Sequence, residues 1–304
     1  MTKFDVIGFG ALNVDRLLKV DKIAGPEEES FIQDYTEACG GSAANTIVGL
    51  ARLRCKVGFI GKVANDLEGN VQIDCLKAEG VDTNGITQAT KGSSGLVMGF
   101  VDRKGARALY INPGVNDLIE SREIKWEYVS GTDFLHLSSF VGEKSFRVQK
   151  KLVGSLPDTV KISFDPGSVY AQKGFGAIEP IIRSSYVMMP NSLELELLTG
   201  ESEYPKGAAQ LIEMGVKIVA VKLGDKGCYV TNGQEKKTIP PYKVKVVDTT
   251  GAGDAFNAGF LYGLIGNKTL VECGQLGNYV ASRSVIVMGA RAGLPYAKDL
   301  GFLG

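Results

Sequence analysis

A chain of 304 residues, 44% hydrophobic and 22% charged, is long enough for one large α/β domain or two. Lys and Arg total 34 against 34 Asp and Glu, a formal net charge of zero, which argues against a phosphate backbone as partner because that needs a basic surface. No apolar run reaches membrane-spanning length and residues 1–5 lead directly into a strand, so the expectation is a cytoplasmic protein with neither nucleic acid nor membrane as partner.

Phe4-Asp5-Val6-Ile7-Gly8 reads as a buried strand running into Gly8-Phe9-Gly10-Ala11-Leu12-Asn13. That turn has two glycines of a dinucleotide fingerprint, but Asn13 stands where the third belongs, which counts against an NAD-linked enzyme. Asp15 follows, at the carboxyl end of a central strand, where open α/β sheets bind ligands. Residues 16–20 and 30–35 alternate apolar and polar around Ala24-Gly25-Pro26, which predicts two short strands outside the main sheet. Gly40-Gly41-Ser42-Ala43-Ala44-Asn45 opens a helix running to about residue 53. A strand over 57–60 and a helix over 66–79, ended by Gly80, come next. Residues 95–101 and 106–111 read as a hairpin around Asp102-Arg103-Lys104-Gly105. The insertions at about 16–38 and 94–112 would then form a small four-stranded sheet lying over one end of the main sheet as a lid.

From Asp133 onward the pattern is regular: strands over 134–137, 160–164, 186–189 and 218–221, with helices over 144–153, 191–198 and 205–214. A hairpin over 228–231 and 236–239 precedes two closing helices, about 254–265 and 270–287, and a loop over 289–295. The only histidine, His136, belongs to a core strand or its end, which leaves acid–base chemistry to carboxylates. The five cysteines, Cys39, Cys55, Cys75, Cys228 and Cys273, have no metal-ligand or redox-pair spacing and are expected to be buried free thiols.

The chemistry concentrates in Asp248-Thr249-Thr250-Gly251-Ala252-Gly253-Asp254-Ala255-Phe256. The apolar run Val244, Val246, Val247 reads as a buried strand leading in, and a small-residue helix leads out. Gly251-Ala252-Gly253 is then a tight turn at a helix N-terminus, where free N–H groups and the helix dipole attract an anion. Asp254 would repel a phosphate there unless a hydroxyl lies between them, so it is expected to be the general base of a phosphoryl transfer. The competing reading is a packing turn followed by an aspartate that merely suits the dipole. Asn191 and Glu194 have the spacing of a helix capping box, or Glu194 holds the water shell of Mg²⁺.

Four stretches in order resemble the ribokinase/PfkB family of small-molecule kinases, over essentially the whole chain. Gly40-Gly41-(x)3-Asn45 resembles its N-terminal signature and residues 248–256 its C-terminal one. Pro190-Asn191-Ser192-Leu193-Glu194 is similar to its Asn-x-x-Glu motif, and Lys222-Leu223-Gly224-Asp225-Lys226-Gly227 to its nucleotide loop, where Thr is commoner than Lys222. The resemblance implies a single ribokinase-like domain over 1–304: a three-layer α/β/α fold with a mostly parallel central sheet and a small β-sheet lid. It implies Mg²⁺-dependent transfer of the γ-phosphate of ATP to a primary hydroxyl, with Asp254 as base and Gly251, Ala252 and Gly253 as anion hole. Asn13, Asp15, Gly41, Ser42, Asn45 and Asp254 would hold the acceptor. Asn191, Lys222, Gly224, Gly227, Gly253 and Asn278 would hold ATP, and Glu194 the Mg²⁺ through water. Asp248 and Thr250, with Ser284, Val287 and Gly289, fall where family members often bind a monovalent cation such as K⁺.

Ser42 stands where ribokinases often carry Lys, and Ser138 where they often carry Glu. Gly-Gly-Ser followed by Asn also looks like what nucleoside kinases of the family carry. Ribose or a related free sugar is the first expectation and a nucleoside the alternative, with Phe31, Phe100 and Tyr110 as walls for a base. A sugar phosphate is third and would call on Arg16, Arg103 and Arg107; a non-catalytic sensor would have lost the base or the anion hole, and both are present. Lid sheets of this kind can pair edge to edge, so a homodimer is expected.

Overall fold

The computed structural model of the chain describes residues 3–301, the Arg107 side chain excepted. Strand β1 (Phe4–Phe9) alternates its side chains between two separate cores, Val6 in one and Ile7 in the other, so it lies at the centre of a sheet covered on both faces. Strands β2 (Asn13–Val20) and β3 (Ile32–Gly40) follow, then helix α1 (Ser42–Arg52). At its start Gly41 takes φ 104°, and a Cβ there would collide with the Ala11 carbonyl, so this turn requires glycine.

Strand β4 (Val57–Ala64), helix α2 (Leu67–Ala78) and strand β5 (Asp82–Ala89) form the next unit, with the Asp66 side chain capping the Gly69 N–H. Strands β6 (Gly95–Val101) and β7 (Arg107–Asn112) make the expected hairpin, and the short helix α3 (Trp126–Val129) leads to β8 (Thr132–Leu137). The regular half then runs α4 (Glu143–Val153), β9 (Lys161–Phe164), α5 (Gly167–Ala171), α6 (Phe175–Ser184), β10 (Ser185–Met188), α7 (Ser192–Thr199), α8 (Tyr204–Glu213) and β11 (Ile218–Lys222). The hairpin β12 (Cys228–Thr231) and β13 (Lys236–Ile239) precedes α9 (Ala252–Ile265) and α10 (Leu270–Ser284).

The large sheet has the order β13-β12-β11-β10-β9-β8-β1-β4-β5, parallel except for the hairpin at its β13 edge. Helices α1, α9 and α10 pack on one face through Ile47, Phe260 and Leu276; α4, α6 and α8 pack on the other through Phe146, Ile178 and Leu211. The chain builds outward from β1 to β4 and β5, then returns to lay β8 on the other side of β1. The carboxyl end of β1 is therefore the switch point of the sheet, where ligands bind in such folds.

The second sheet has the order β3-β2-β6-β7, with β2 and β6 parallel and the outer pairs antiparallel. Its strands begin nearer the main sheet than expected, and Asn13 pairs with both Gly40 and Gly95 at its root. The small sheet thus starts at the switch point itself. Among the described residues, no helix is long and apolar enough to cross a membrane.

Three expectations need correction. The run at 244–247 is not a buried strand: Val246 and Val247 are more than half exposed and the segment has no regular structure. Cys39 and Cys75 are not free thiols but form a disulfide between the end of β3 and α2; Cys55, Cys228 and Cys273 are free. The last helix ends at Ser284 rather than 287. His136 lies in β8 as expected; it is fully buried beside the Ser163 hydroxyl at 3.0 Å, and burial lowers it to about 4, so it is neutral at pH 7.

Candidate active site

Gly251, the N-cap just before helix α9, takes the left-handed conformation (φ 75°) that the tight turn needs. Asp254 lies in the first turn, facing the first turn of α1. The Ser42 hydroxyl donates to Asp254 Oδ1 at 2.6 Å, and Asn45 Nδ2 donates to Oδ2 at 2.8 Å. Thr46 ties the two helices further by donating to the Asp254 carbonyl at 3.2 Å. Burial raises the Asp254 carboxyl to about 6 although both hydrogen bonds pull it down; Asp165 adds to the rise and Lys222 opposes it. A carboxylate of that pKa is ionised at neutral pH yet basic enough to accept a proton.

The anion-hole turn differs in one detail from expectation. The Ala252 N–H donates to the Thr249 carbonyl at 3.1 Å and is already engaged. The N–H groups of Gly253 and Asp254, in the first turn, have no intrahelical acceptor and are the ones available to an anion.

Asp15, on β2, lies close enough to Asp254 to feel its charge. A Cβ on Gly40 would collide with its carboxylate, so Asp15 rests directly on the last residue of β3. Burial raises Asp15 to about 6, opposed by Arg291 and reinforced by Asp254. Asn13 is held by Asn116, whose Nδ2 donates to Asn13 Oδ1 at 3.0 Å while its amide also clamps the Leu12 N–H and carbonyl at 2.9 Å. Ser138 accepts the Ala43 N–H at 3.2 Å and so caps the start of α1.

On the other side of Gly253 lies a cavity of about 430 Å³ lined by Lys222, Gly224, Gly227, Gly253 and Asn278. Five of the six residues expected at the nucleotide thus share one cleft. Val244, Val246 and Tyr242 form its apolar wall, which explains why the 244–247 run is apolar yet outside the core. Asn278 is almost buried and gives its NH₂ to the carbonyls of Ile239 and Pro240, so it shapes this wall. Asn191, the sixth, accepts the Glu194 N–H at 2.8 Å while Glu194 accepts the Asn191 N–H at 2.9 Å, a complete capping box.

Lys222 makes a buried ion pair with Asp165 at 2.6 Å, and Asn257 donates to the same oxygen at 2.5 Å. Burial alone would raise Asp165, but Lys222 and Asn257 hold it below the ordinary carboxylate value. Burial and the neighbouring Asp165 charge raise Glu194. Three acids, Asp165, Glu194 and Asp254, therefore share one ammonium, which raises the Lys222 pKa in spite of its burial. The excess negative charge beside a nucleotide-sized cleft fits a divalent cation that keeps most of its water. Among the described residues no cluster of three or more His, Cys, Asp or Glu side chains forms a dedicated metal cage.

Asp248 joins the turn to the C-terminal loop: Oδ1 accepts from the Thr250 N–H and hydroxyl at 3.0 and 2.7 Å, and Oδ2 from the Gly289 N–H at 2.8 Å. Of the other expected cation ligands, the Ser284 carbonyl accepts the Val287 N–H at 3.4 Å. Asp165, Asn116, Asn257 and Arg291 were not expected at the site. Asp165 alone had a signal, an acid directly after a predicted strand.

Phe100 and Tyr110 meet edge to face, 5.8 Å between centroids, and line a separate cavity of about 540 Å³ with Val20, Lys22 and Ile23; Phe31 is exposed. Arg16 is paired with Glu37 and Glu68 at 2.8 and 2.9 Å, and Arg103 with Asp21 at 2.5 Å. The Arg107 side chain lies outside the described residues.

Residues 3–297 match the model of the pfkB family carbohydrate kinases. The chain is 45% identical over 255 residues to an uncharacterized sugar kinase of Archaeoglobus fulgidus, covering 83% of this chain and 100% of that one. It is 32% identical over 256 residues to the ATP-dependent ribose-1-phosphate kinase of Halopiger xanaduensis, 84% and 83% of the two chains. The ribokinase of Thermotoga maritima superposes with a TM-score of 0.87 at 29% identity over 99% of both chains. The chain belongs to the pfkB family of carbohydrate kinases, phosphotransferases that act on a hydroxyl group, and has their ribokinase-like fold.

Proposed function

We propose that the protein transfers the γ-phosphate of Mg-ATP to the primary hydroxyl of ribose or a related free sugar, as a single catalytic unit with the small sheet as its lid. The observation that carries this reading is the position of Asp254. It is fixed by Ser42 and Asn45 on the acceptor side, one residue from Gly253 in the wall of the nucleotide-sized cleft.

The acceptor hydroxyl lies between Asp254 and the phosphorus, held by Asp15, Asn13 and the Gly40-Gly41 turn. Asp254 takes its proton as the oxygen attacks. The N–H groups of Gly253 and Asp254 and the N-terminal dipole of α9 stabilise the transferred charge. Lys222 and the backbone of Gly224 and Gly227 hold the donor phosphates, with the capped start of α7 at Asn191 beside them. Glu194 would hold Mg²⁺ through its water shell, and the ion when bound would supply neutralisation of phosphate charge. Asp248 is already committed to Thr250 and Gly289, which orders this loop without help, so no step is assigned to a monovalent cation.

A second reading, ribose 1-phosphate, is favoured by the 32% identical relative that bears that name. Against it, Arg16 and Arg103 are paired to acids, and Arg291, the arginine whose charge reaches Asp15 and Asp254, is engaged by Asn45 and the Gly40 carbonyl. ADP release from Mg-ATP with ribose, ribose 1-phosphate, fructose and nucleosides separates the readings. Ribose is expected to be turned over fastest; a preference for ribose 1-phosphate moves the assignment, and no turnover on any of them removes this substrate class.

The exposed apolar side chains Ile32, Tyr35, Leu109 and Tyr110 on the small sheet support pairing of two copies through it. Light scattering of the purified protein checks this, and a monomer at all concentrations rejects it.

A further inference from the structure

Arg291 lies in the loop after α10, outside every signature stretch. Its partly buried side chain reaches two acceptor-site groups at once. Nε donates to Asn45 Oδ1 at 2.7 Å, and Nη2 donates to the Gly40 carbonyl at 3.1 Å.

The first contact decides which way the Asn45 amide points. With Oδ1 facing the guanidinium, Nδ2 must face Asp254. A flipped amide would set its NH₂ against the guanidinium and its oxygen against the carboxylate, two donor–donor or acceptor–acceptor clashes. The second contact holds the root of the small sheet. Gly40 pairs with Asn13, and Asp15 rests on its Cα. The loop that carries Arg291 is itself anchored. Arg52 Nη1 donates to the carbonyls of Arg291 and Leu294 at 2.7 and 3.1 Å, and Arg52 is bridged to Glu79 at 2.6 Å.

We propose that Arg291 is the positioning residue of the acceptor site: it orients Asn45 towards Asp254 and locks Gly40 beneath Asp15. The proposal rests on the reading of Asp254 as the base. It assigns to the C-terminal loop a role in recognising the sugar rather than in packing alone.

The charges around the guanidinium are Asp15 from β2, Asp254 from α9, Glu79 after α2, and Arg52 from α1 as the other cation. Burial lowers Arg291 to about 10, so it remains charged at neutral pH. Of the neighbours of Asp15, it is the one that opposes the rise due to burial most. Removing it therefore raises Asp15 further. An ionised Asp15 accepts from sugar hydroxyls, and that form is lost as pH falls through its pKa. A higher pKa moves the loss of acceptor binding to higher pH.

Arg291→Met and Arg291→Lys, beside the wild type and Asp254→Asn, test this with two readouts. In turnover, Arg291→Met is expected to raise the KM for ribose roughly ten- to a hundredfold, a misplacement effect, with the KM for ATP unchanged. In a carboxyl-carbon NMR titration without substrate, Asp15 is expected to titrate about one pH unit higher in Arg291→Met. Arg291→Lys restores the titration but not the KM, because lysine supplies the charge without the fork. An unchanged ribose KM and an unchanged Asp15 titration in Arg291→Met overturn the proposal. So does an equal rise in both KM values with a lowered melting temperature, which marks a merely structural role. If the wild type turns over no sugar, or Asp254→Asn keeps its turnover, the reading of the base fails; the Asp15 titration then still decides whether Arg291 controls this site.

Discussion

Ser42 and Asp254 are 212 positions apart in the chain and meet at 2.6 Å, hydroxyl to carboxylate. Each stands in the first turn of its helix, so the N-termini of α1 and α9 converge on one carboxylate. Both dipoles favour its charge. Burial outweighs them and leaves Asp254 at about 6.

Asp254→Asn is therefore expected to lower kcat by about two to four orders of magnitude while nucleotide binding persists, since the cleft beyond Gly253 is untouched. In the wild type the base must be ionised. The rate should rise with pH through about 6 and level off above it. Steady-state rates from pH 5 to 8.5 check both statements; near-normal turnover of the variant would remove Asp254 as base.

The same substitution should make the protein more stable at pH 8. The folded-state pKa is raised from 3.8 to about 6, so the native state binds this proton more tightly than the unfolded chain. The stabilisation from proton binding is complete below about 3.8 and is lost as pH rises through about 6. At pH 8 the wild type carries a buried charge that the asparagine lacks. Melting temperatures at pH 8 and pH 4.5 read this directly: a gain at pH 8 that shrinks at pH 4.5 is expected, and a gain of equal size at both would contradict the linkage.

Much of this site was legible because its determinants are local. Gly251, Gly41 and the capping box of Asn191 and Glu194 each specify a turn or a helix start within a few residues. What was missed depends on partners far along the chain. Asp165 gains its meaning from Lys222, 57 residues away, and Arg291 from Asn45, 246 away. Strand β5 went unseen because it is a mostly polar edge strand with only Gly85 buried, and α6 because Pro180 interrupts its pattern. The run at 244–247 misled because an apolar wall of a ligand cleft and a core strand have the same composition.

Lys222 and Asp165 form the pair whose disruption should affect both stability and donor binding. Lys222→Met leaves Asp165 buried and unpaired, a loss of about 3–5 kcal/mol. Adding Asp165→Asn removes the stranded charge and should recover part of that stability, but not the KM for ATP, because the ammonium at the cleft is still missing. Urea unfolding and ATP saturation curves give the two quantities. A double variant no more stable than Lys222→Met would show that the stranded charge is not the cause.

The Cys39–Cys75 disulfide ties the root of the small sheet to α2 across 36 residues. Closing a loop of that length should stabilise the protein by about 3–4 kcal/mol through the unfolded chain. Denatured, unreduced protein should show three reactive thiols and reduced protein five. Cys39→Ser should lower the melting temperature under oxidising conditions only. Five reactive thiols before reduction would mean that the bond is not formed in solution.

Glu194 has two assignments that a single substitution separates. As the third residue of α7 it completes the capping box, with Oε2 accepting the Asn191 N–H at 2.9 Å. As a buried acid beside Asp165 it adds to the negative charge that a hydrated Mg²⁺ would balance. Glutamine fills the same capping position and keeps the oxygen acceptor, so Glu194→Gln should leave the melting temperature nearly unchanged. It removes one negative charge from the group of three, so the Mg²⁺ concentration giving half-maximal rate should rise by about tenfold or more. Titrating activity with Mg²⁺ at fixed ATP, beside thermal unfolding without metal, reads the two roles separately. An unchanged Mg²⁺ requirement with an unchanged melting temperature would leave Glu194 as a capping residue alone.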